Sequence, residues 1–512
     1  AIAEDDVAAI GNVGYDTLAE AVAAAIVSEE KEIEIDLLKT TEGSGVKVTG
    51  DTGKKITIDL NQFTYTVVNP TVGSTGTETN GFQLLKGTDI TFKNGTIKPG
   101  TSAAKILIQN YCNLILDNVN LDCSRGNCDY ALSNNCGDTI IKENTNIIAS
   151  SGKVAFDVCD FADYPSVSVT FDNSFSGKVD GTIEYTGTDA SLHRLTINGN
   201  GTFTGEILAT ESYAEAAEDA INITGGTFTN ESARETIDRY IVDGAKLDEN
   251  GTVIADTEDM AAVVDERGYK TIQEAVAALK DNSVMKIIAD VDVTTNRAEG
   301  TFGSCFVITK NNVTITAYDE DDLPTIYGFS NKFNDGIEEG LNGQSTIYVT
   351  GENVTLENLI LMPLGGISNG PDKAPDWQKT VGVTSTATGF AIRNCTTKPN
   401  TMPYSGEETA SNSMADSAGF IHISNNSSTL AGNSFGTGTT VAAGWRGSTV
   451  DEGYYTVDAF DNFWGDNATA ESISQMIEGN INIGTYYTDS GKTVTATIGG
   501  VLVSNEDELR SA

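Results

Sequence analysis

The chain has 512 residues, a formal net charge of −42 and 39% hydrophobic residues. A polyanion of that size repels nucleic acid and anionic membranes, and no run approaches the roughly 18 apolar residues of a membrane-spanning helix. The length allows about two to four domains, and 52 glycines against 9 prolines suit a turn-rich β architecture rather than a Pro-rich stalk.

The first element sets the organisation. Gly14-Tyr15-Asp16-Thr17-Leu18-Ala19-Glu20-Ala21-Val22 returns as Gly268-Tyr269-Lys270-Thr271-Ile272-Gln273-Glu274-Ala275-Val276, an offset of 269 − 15 = 254 residues. Carried on without a gap, the offset places Ile33 on Ile287, Asp36 on Asp290 and Leu37 on Val291. Recurrence at half the chain length predicts two similar modules, residues 1–256 and 257–500, with shorter repeats inside each. Thr17-x-x-Glu20 and Thr271-x-x-Glu274 are capping boxes ahead of Ala/Val-rich helix formers. Each short helix is expected to lid its module, because a stack of β coils exposes an apolar end that needs a polar-backed cap.

Short strands of alternating apolar and polar residues follow each helix. In module one they are Glu32–Leu38, Ile56–Leu60, Asp89–Ile97, Leu114–Leu121, Asp138–Lys142, Ser166–Phe171, Leu195–Gly199 and Ile221–Phe228. In module two they are Val284–Val291, Asn312–Thr316, Ser345–Val349, Asn353–Leu361, Gly389–Asn394, Phe420–Asn425 and Ala459–Phe463. The unit is a short strand, an Asn- or Gly-rich corner and a second short strand, recurring at roughly 20–30 residues, within the solenoid range. Antiparallel hairpins would place a two-residue turn about every 8–12 residues. The pattern instead suits turns of chain that stack in parallel, with Asn at corners because it tolerates left-handed backbone. At the C-terminus, Val501–Arg510 reads as a strand, a cap and the start of another helix, so residues 501–512 are expected to open a further module.

Three passages resemble a known family. They are the Gly-Tyr-x-Thr-x-x-Glu-Ala-Val opening, the passage Ile221-Asn222-Ile223-Thr224-Gly225-Gly226-Thr227-Phe228 with Tyr240–Ala245 and Asn250–Val253 after it, and Asp461-Asn462-Phe463-Trp464-Gly465. Together they resemble the right-handed parallel β-helix of pectate-lyase-like proteins. More narrowly, they resemble the repeat modules of large surface and adhesin-like proteins of intestinal Gram-positive bacteria. The resemblance implies an all-β fold of two tandem right-handed parallel β-helices, each with a short N-terminal capping α-helix. It also implies an extracellular or cell-surface location, and the absence of an initiating Met at Ala1 fits a leader already removed.

Enzymes of that fold cut polysaccharides, so their chemistry has to be sought. Glycoside hydrolysis needs two carboxylates facing one cleft, and the family's hydrolases carry Asn-x-Asp, Asp-Asp and Gly-His-Gly. Here the two histidines, His193 and His422, lack that context. The acidic run Asp319-Glu320-Asp321-Asp322 reads as a solvated loop, and no lyase motif surrounds Arg393. Catalytic residues are therefore not assigned; a polysaccharide lyase or glycoside hydrolase with diverged residues is the alternative.

Binding has better candidates. The three tryptophans, Trp377, Trp445 and Trp464, all fall in module two. Trp464 belongs to the closing-rung motif and is expected to pack. Trp377 sits in a polar insertion with Lys373 and Asp376, Tyr404 in a second and Trp445-Arg446 in a third. Stacked coils place such insertions side by side, so Trp377, Lys373, Asp376, Tyr404, Trp445 and Arg446 are the candidate ligand site. The alternative is that these loops shield the flank. The partner expected is a carbohydrate or a host surface protein, with neither nucleic acid nor membrane insertion. No cofactor is indicated, and the acidic corners leave a structural calcium open. Cys112, Cys123, Cys128, Cys136, Cys159, Cys305 and Cys395 show no zinc spacing; they read as small buried side chains, with a Cys123–Cys128 bridge as the other option.

Overall fold

The computed structural model describes residues 2–69, 72–75, 78–101, 104–292, 306–328, 345–363, 379–398, 421–436, 439, 441–443, 455–487, 494–498 and 501–503. The chain is predominantly β and built of long parallel sheets. It divides into two units, Ala1–Ile254 and Ala255–Ala512.

In the first unit the chain visits three faces in turn. One face stacks Glu32–Leu37, Lys55–Asp59, the first parts of Asp89–Pro99 and Leu114–Asp122, Gly137–Lys142, Val167–Phe171, His193–Ile197 and Ile221–Ile223. A second stacks Thr41–Ser44, Thr64–Asn69, the second parts of those two long strands, Asn146–Ile148, Lys178–Asp180, Thr202–Phe203 and Thr227–Phe228. The third is a seven-stranded sheet of Val46–Val48, Phe82–Leu84, Ile106–Asn110, Tyr130–Asn134, Val154–Cys159, Thr182–Thr186 and Ile207–Ala209.

Each strand pairs in parallel with the strand one circuit later, so equivalent positions form columns. Ile33, Ile56, Ile90, Leu114, Thr139, Val169, Leu195 and Ile221 make one. Val46, Phe82, Ile108, Leu132, Phe156, Ile183 and Ile207 make another. All of these residues are buried, and each aliphatic or aromatic side chain removed from water contributes roughly 1.5–3 kcal/mol. Phe171, Phe203 and Phe228 add a ring stack with centroids 5.3 and 4.9 Å apart. Two asparagines interrupt the apolar columns. Asn110 and Asn134 are fully buried in register, and Asn110 Nδ2 donates to Thr139 Oγ1 (3.1 Å), which donates to Asn134 Oδ1 (2.8 Å). A buried amide is tolerable when its partners are also on the stack.

The corners explain the asparagines of the sequence. Asn94 and Asn118 both have φ of 55°, a left-handed conformation that Asn adopts more readily than most residues. Asn118 Nδ2 donates to Asn94 Oδ1 (3.2 Å), and Asn94 Nδ2 to Asp59 Oδ1 (3.3 Å), so corners are tied from turn to turn.

At its start the unit has antiparallel Ala8–Ile10 and Val13–Tyr15, then the helix Leu18–Val27. Thr17 accepts the Glu20 amide, and Leu18, Ala21, Val22 and Ala25 are buried. The second unit repeats this with Ala262–Val264, Arg267–Tyr269 and the helix Ile272–Ala278, where Thr271 and Glu274 complete a capping box. The ungapped 254-residue match does not survive past the helices. Ala8 pairs with Leu37, whereas Ala262 pairs with Ile287, an offset of 287 − 37 = 250. The second helix has seven residues against ten, and the strand that pairs with the opening hairpin arrives four residues earlier, an even shift that keeps the same side chains inward.

The second unit also has three parallel stacks. Phe306, Ile347, Val381, Ile421, Val441 and Ile477 form one inner column. Met285, Ile315, Leu356, Ile392 and Leu430 form another. Asn353 Nδ2 donates to Asn312 Oδ1 and Asn312 Nδ2 to Asn282 Oδ1, both at 3.0 Å. Here partners lie 20 to 41 residues apart, from Ile421–Val441 to Phe306–Ile347, wider than the expected 20–30.

Gly95 tests the corner. A Cβ there would lie 2.4 Å from Leu60 Cβ and 2.6 Å from the Phe63 carbonyl oxygen. Gly95→Ala should cost about 1–3 kcal/mol through overpacking, read as a lower urea midpoint. Unchanged stability would mean the corner has room the packing denies it.

Candidate functional site

The six residues of the expected ligand site, Trp377, Lys373, Asp376, Tyr404, Trp445 and Arg446, lie outside the described residues, as does Cys305. Of the rest, Trp464 is buried with its ring centroid 4.6 Å from that of Phe435, the packing role expected of it. Asp319–Asp322 are exposed, with the Asp321 amide turned onto Asp319. Arg393 ends an edge of the strand Ala391–Arg393 and is exposed. His422 is buried in register with Gly382 and Ala442.

A site that sequence reasoning missed lies on the seven-stranded sheet of the first unit. Phe156 and Val158 point into the core, so by strand alternation Asp157 faces outward. Its column is Gln83, Gln109, Ser133, Asp157 and Glu184. Gln83, Gln109, Ser133 and Asp157 are nonetheless buried. Gln109 Oε1 accepts from Asn80 Nδ2 (2.9 Å) and Gln83 Nε2 (3.1 Å). Asp157 Oδ1 accepts the Asn134 amide (2.6 Å) and Oδ2 the Ser133 hydroxyl (3.2 Å). Glu184 Oε2 accepts from Tyr130 OH (2.8 Å). One signal was available: Gln109, Ser133 and Asp157 recur at intervals of 24 residues, each preceded by a residue of the inner column, Ile108, Leu132 and Phe156.

Beside this column runs an aromatic group. Tyr111 follows Ile106–Asn110 and is buried, while Phe161 and Tyr164 flank a turn just after Val154–Cys159. The turn closes with the Tyr164 amide on the Phe161 carbonyl (3.2 Å) and holds Ala162 at φ 51°. The ring centroids are 4.9 Å apart for Tyr111–Tyr164, 5.9 Å for Tyr111–Phe161 and 6.3 Å for Phe161–Tyr164. The next side chain, Asp160, faces His193 Nε2 at 3.5 Å and accepts from Thr188 Oγ1. His193 Nδ1 takes the amides of Thr188 (3.2 Å) and Asp189 (3.1 Å), and Tyr185 OH donates to the His193 carbonyl (2.9 Å).

The electrostatics of the strip are one-signed. Burial pushes Asp157 up to about 7, against the pull of the Asn134 amide and Ser133 hydroxyl, with Glu184 adding to the rise. Tyr111 is pushed up to about 12 by burial, with Tyr164, Cys159 and Asp157 adding to it. Tyr130 rises by burial and by its bond to Glu184. The carboxylates acting on Tyr111, Tyr130 and Cys159 are Asp157, Asp160 and Glu184.

Asp157 and Glu184 are neighbours across two strands, the spacing from which an acid and a base are sometimes built. Yet both Asp157 oxygens are taken by the chain's own donors, and the His193 Nδ1 lone pair is taken by two backbone amides.

Six cysteines are free thiols, Cys112, Cys123, Cys128, Cys136 and Cys395 buried and Cys159 half-buried. The Cys123–Cys128 option therefore gives way to buried side chains; Ser150 Oγ bridges that turn, donating to the Cys123 carbonyl and accepting the Cys128 amide, both at 2.9 Å. Among the described residues, Glu34, Asp36 and Asp59 bring carboxylate oxygens within 4.8 Å of one another. The Lys93 ammonium is already among them, 2.9 Å from Glu34 and 3.1 Å from Asp59, and these bonds hold its pKa above the usual lysine value. One ammonium thus offsets part of the charge of Glu34 and Asp59, and Asp36 accepts from Asn61 Nδ2. Among the described residues no helix is long and apolar enough to cross a membrane.

Comparison with family models, with curated proteins and with solved structures finds no match to this chain.

Two predictions follow from the strip's geometry. Asp157 is raised in the folded chain relative to the unfolded one, so its contribution is full below about pH 4 and is lost as pH rises toward 7. Asp157→Asn should flatten that fall, worth up to a few kcal/mol at ~1.4 kcal/mol per unit, in melting curves taken from pH 4 to 8. An equally steep fall in the variant would place the titration elsewhere. Ala162→Gly should raise stability by about 1 kcal/mol, since the left-handed conformation costs alanine about that much. A lower melting temperature would show that alanine is unstrained there.

Proposed function

We propose that each unit is a right-handed parallel β-helix closed at its start by a capping helix. We further propose that the chain is a non-catalytic structural and adhesive segment of an exported bacterial surface protein. The parallel register of three stacks in each unit supports the fold, together with the Asn corners and the resemblance of the Gly-Tyr-x-Thr-x-x-Glu-Ala-Val openings. A fold of this kind leaves no lateral sheet edge, which suits an exposed environment.

The observation that carries the non-catalytic part is the fate of the polar groups on and beside the strip. Asp157, His193 and Asp160 are spent on the chain's own donors and acceptors. Partners of a surface segment are carbohydrates or host proteins, and the net charge of −42 weighs against acidic ones.

The second reading, a polysaccharide lyase or hydrolase, is favoured by one observation, the adjacency of Asp157 and Glu184. The test is turnover on a panel of neutral and acidic polysaccharides, followed as new reducing ends and as ultraviolet-absorbing unsaturated product. No turnover is expected. Turnover abolished by Asp157→Asn or Glu184→Gln would replace the first reading with the second.

A further inference from the structure

The aromatic turn belongs to the first unit, whereas a ligand was expected on the second. Phe161 is 43% exposed, although its neighbours Tyr111 and Tyr164 are buried and half-buried. The turn holds it at the cost of a left-handed alanine, where glycine or asparagine would be relaxed. The ring therefore stands on a rigid base: Tyr111 comes from one strand, Phe161 and Tyr164 from the turn after a strand two circuits further on. Asp160 and Asp163 lie within the same turn, and Asp160 and Glu184 act on Cys159, the residue at which the turn starts.

An exposed aromatic face with carboxylates in its own turn is complementary to a cation carried on an apolar stem. Arginine fits best, because its guanidinium stacks flat on a ring and donates to carboxylates at its edge. We infer that the turn Asp160–Tyr164, backed by Tyr111, is a binding site for an arginine-bearing segment of a partner protein. The guanidinium would lie over Phe161 and Tyr164, with Asp163 as its counter-ion. This inference rests on the chain being an adhesive surface segment, and it names the partner's chemistry and the unit that meets it.

The experiment is fluorescence anisotropy with the full chain in physiological salt. The probe is a short labelled peptide carrying two arginines among glycines and serines. Binding is expected, and it should weaken about three- to tenfold in Phe161→Ala and in Phe161→Leu, which keeps apolar bulk without a ring. Asp163→Asn should weaken it and lessen its salt dependence. Phe460→Ala, at an exposed aromatic of the second unit, should leave it unchanged. Melting curves on each variant separate lost binding from lost folding.

The inference is overturned by absence of binding to the wild-type chain. It is equally overturned if a glutamine-for-arginine peptide binds as well, or if a neutral oligosaccharide displaces the peptide. Binding that survives both Phe161 variants would assign the attraction to the acidic surface at large. Each of these results leaves the surface-segment reading in place, whereas polysaccharide turnover would remove that reading while the peptide data stood.

Discussion

The controlling constraint in each unit is register. A strand that pairs in parallel with the one a circuit earlier must match it position by position, because side chains alternate between faces with a period of two and a one-residue slip would turn the inner column outward. Ile33 to Ile221 shows the rule for aliphatics and Phe203–Phe228 for rings. It holds for polar groups as well. Asn110 and Asn134 enter the core together, with Thr139 placed to join them. A single buried asparagine would leave an amide unsatisfied, whereas a stacked pair supplies partners from within the column.

The same constraint shapes the outer face of the seven-stranded sheet. Outward positions on a parallel stack are usually free to vary, since water satisfies them. Here Gln83, Gln109, Ser133 and Asp157 are outward and still buried, so they must bond one another. The acid among them is held largely protonated until about neutral pH because burial outweighs its two donors. Stability and pH are thereby coupled through one buried carboxyl group.

Much of this was legible in the sequence, and the failures have physical causes. Glu32–Leu37, Leu114–Asp122 and Ser345–Val349 were read because their alternation is clean and an Asn or Gly marks the corner. The strands Ile106–Asn110, Tyr130–Asn134 and Val154–Cys159 were not, because both of their faces are covered. Their apolar runs lose the period of two that marks a half-exposed strand. The third face, and the strip on it, went unread for that reason. The two helices begin where Thr17 and Thr271 placed them, but their unequal lengths, ten and seven residues, were not legible, since alanine-rich sequence continues helix or loop with little difference in free energy. The tryptophan site falls outside the described residues, so the insertions of the second unit enter no structural argument.

Rigidity and strain on the first unit's outer face are connected. Tyr111 follows the strand Ile106–Asn110 with its amide on the Leu84 carbonyl, and Cys159 ends a strand in register with Thr186, so the turn after Cys159 starts from a fixed position. A left-handed alanine persists only where surrounding contacts over-determine it, and here the Tyr111 ring and the His193–Asp160–Thr188 bonds do so from either side. The result is a ring that stays exposed instead of folding onto the sheet as Tyr111 does. In a chain that otherwise meets solvent with carboxylates, a fixed apolar face among acids discriminates between cations by shape as well as by charge. A flexible loop of the same composition would lose much of that discrimination to the entropy of ordering.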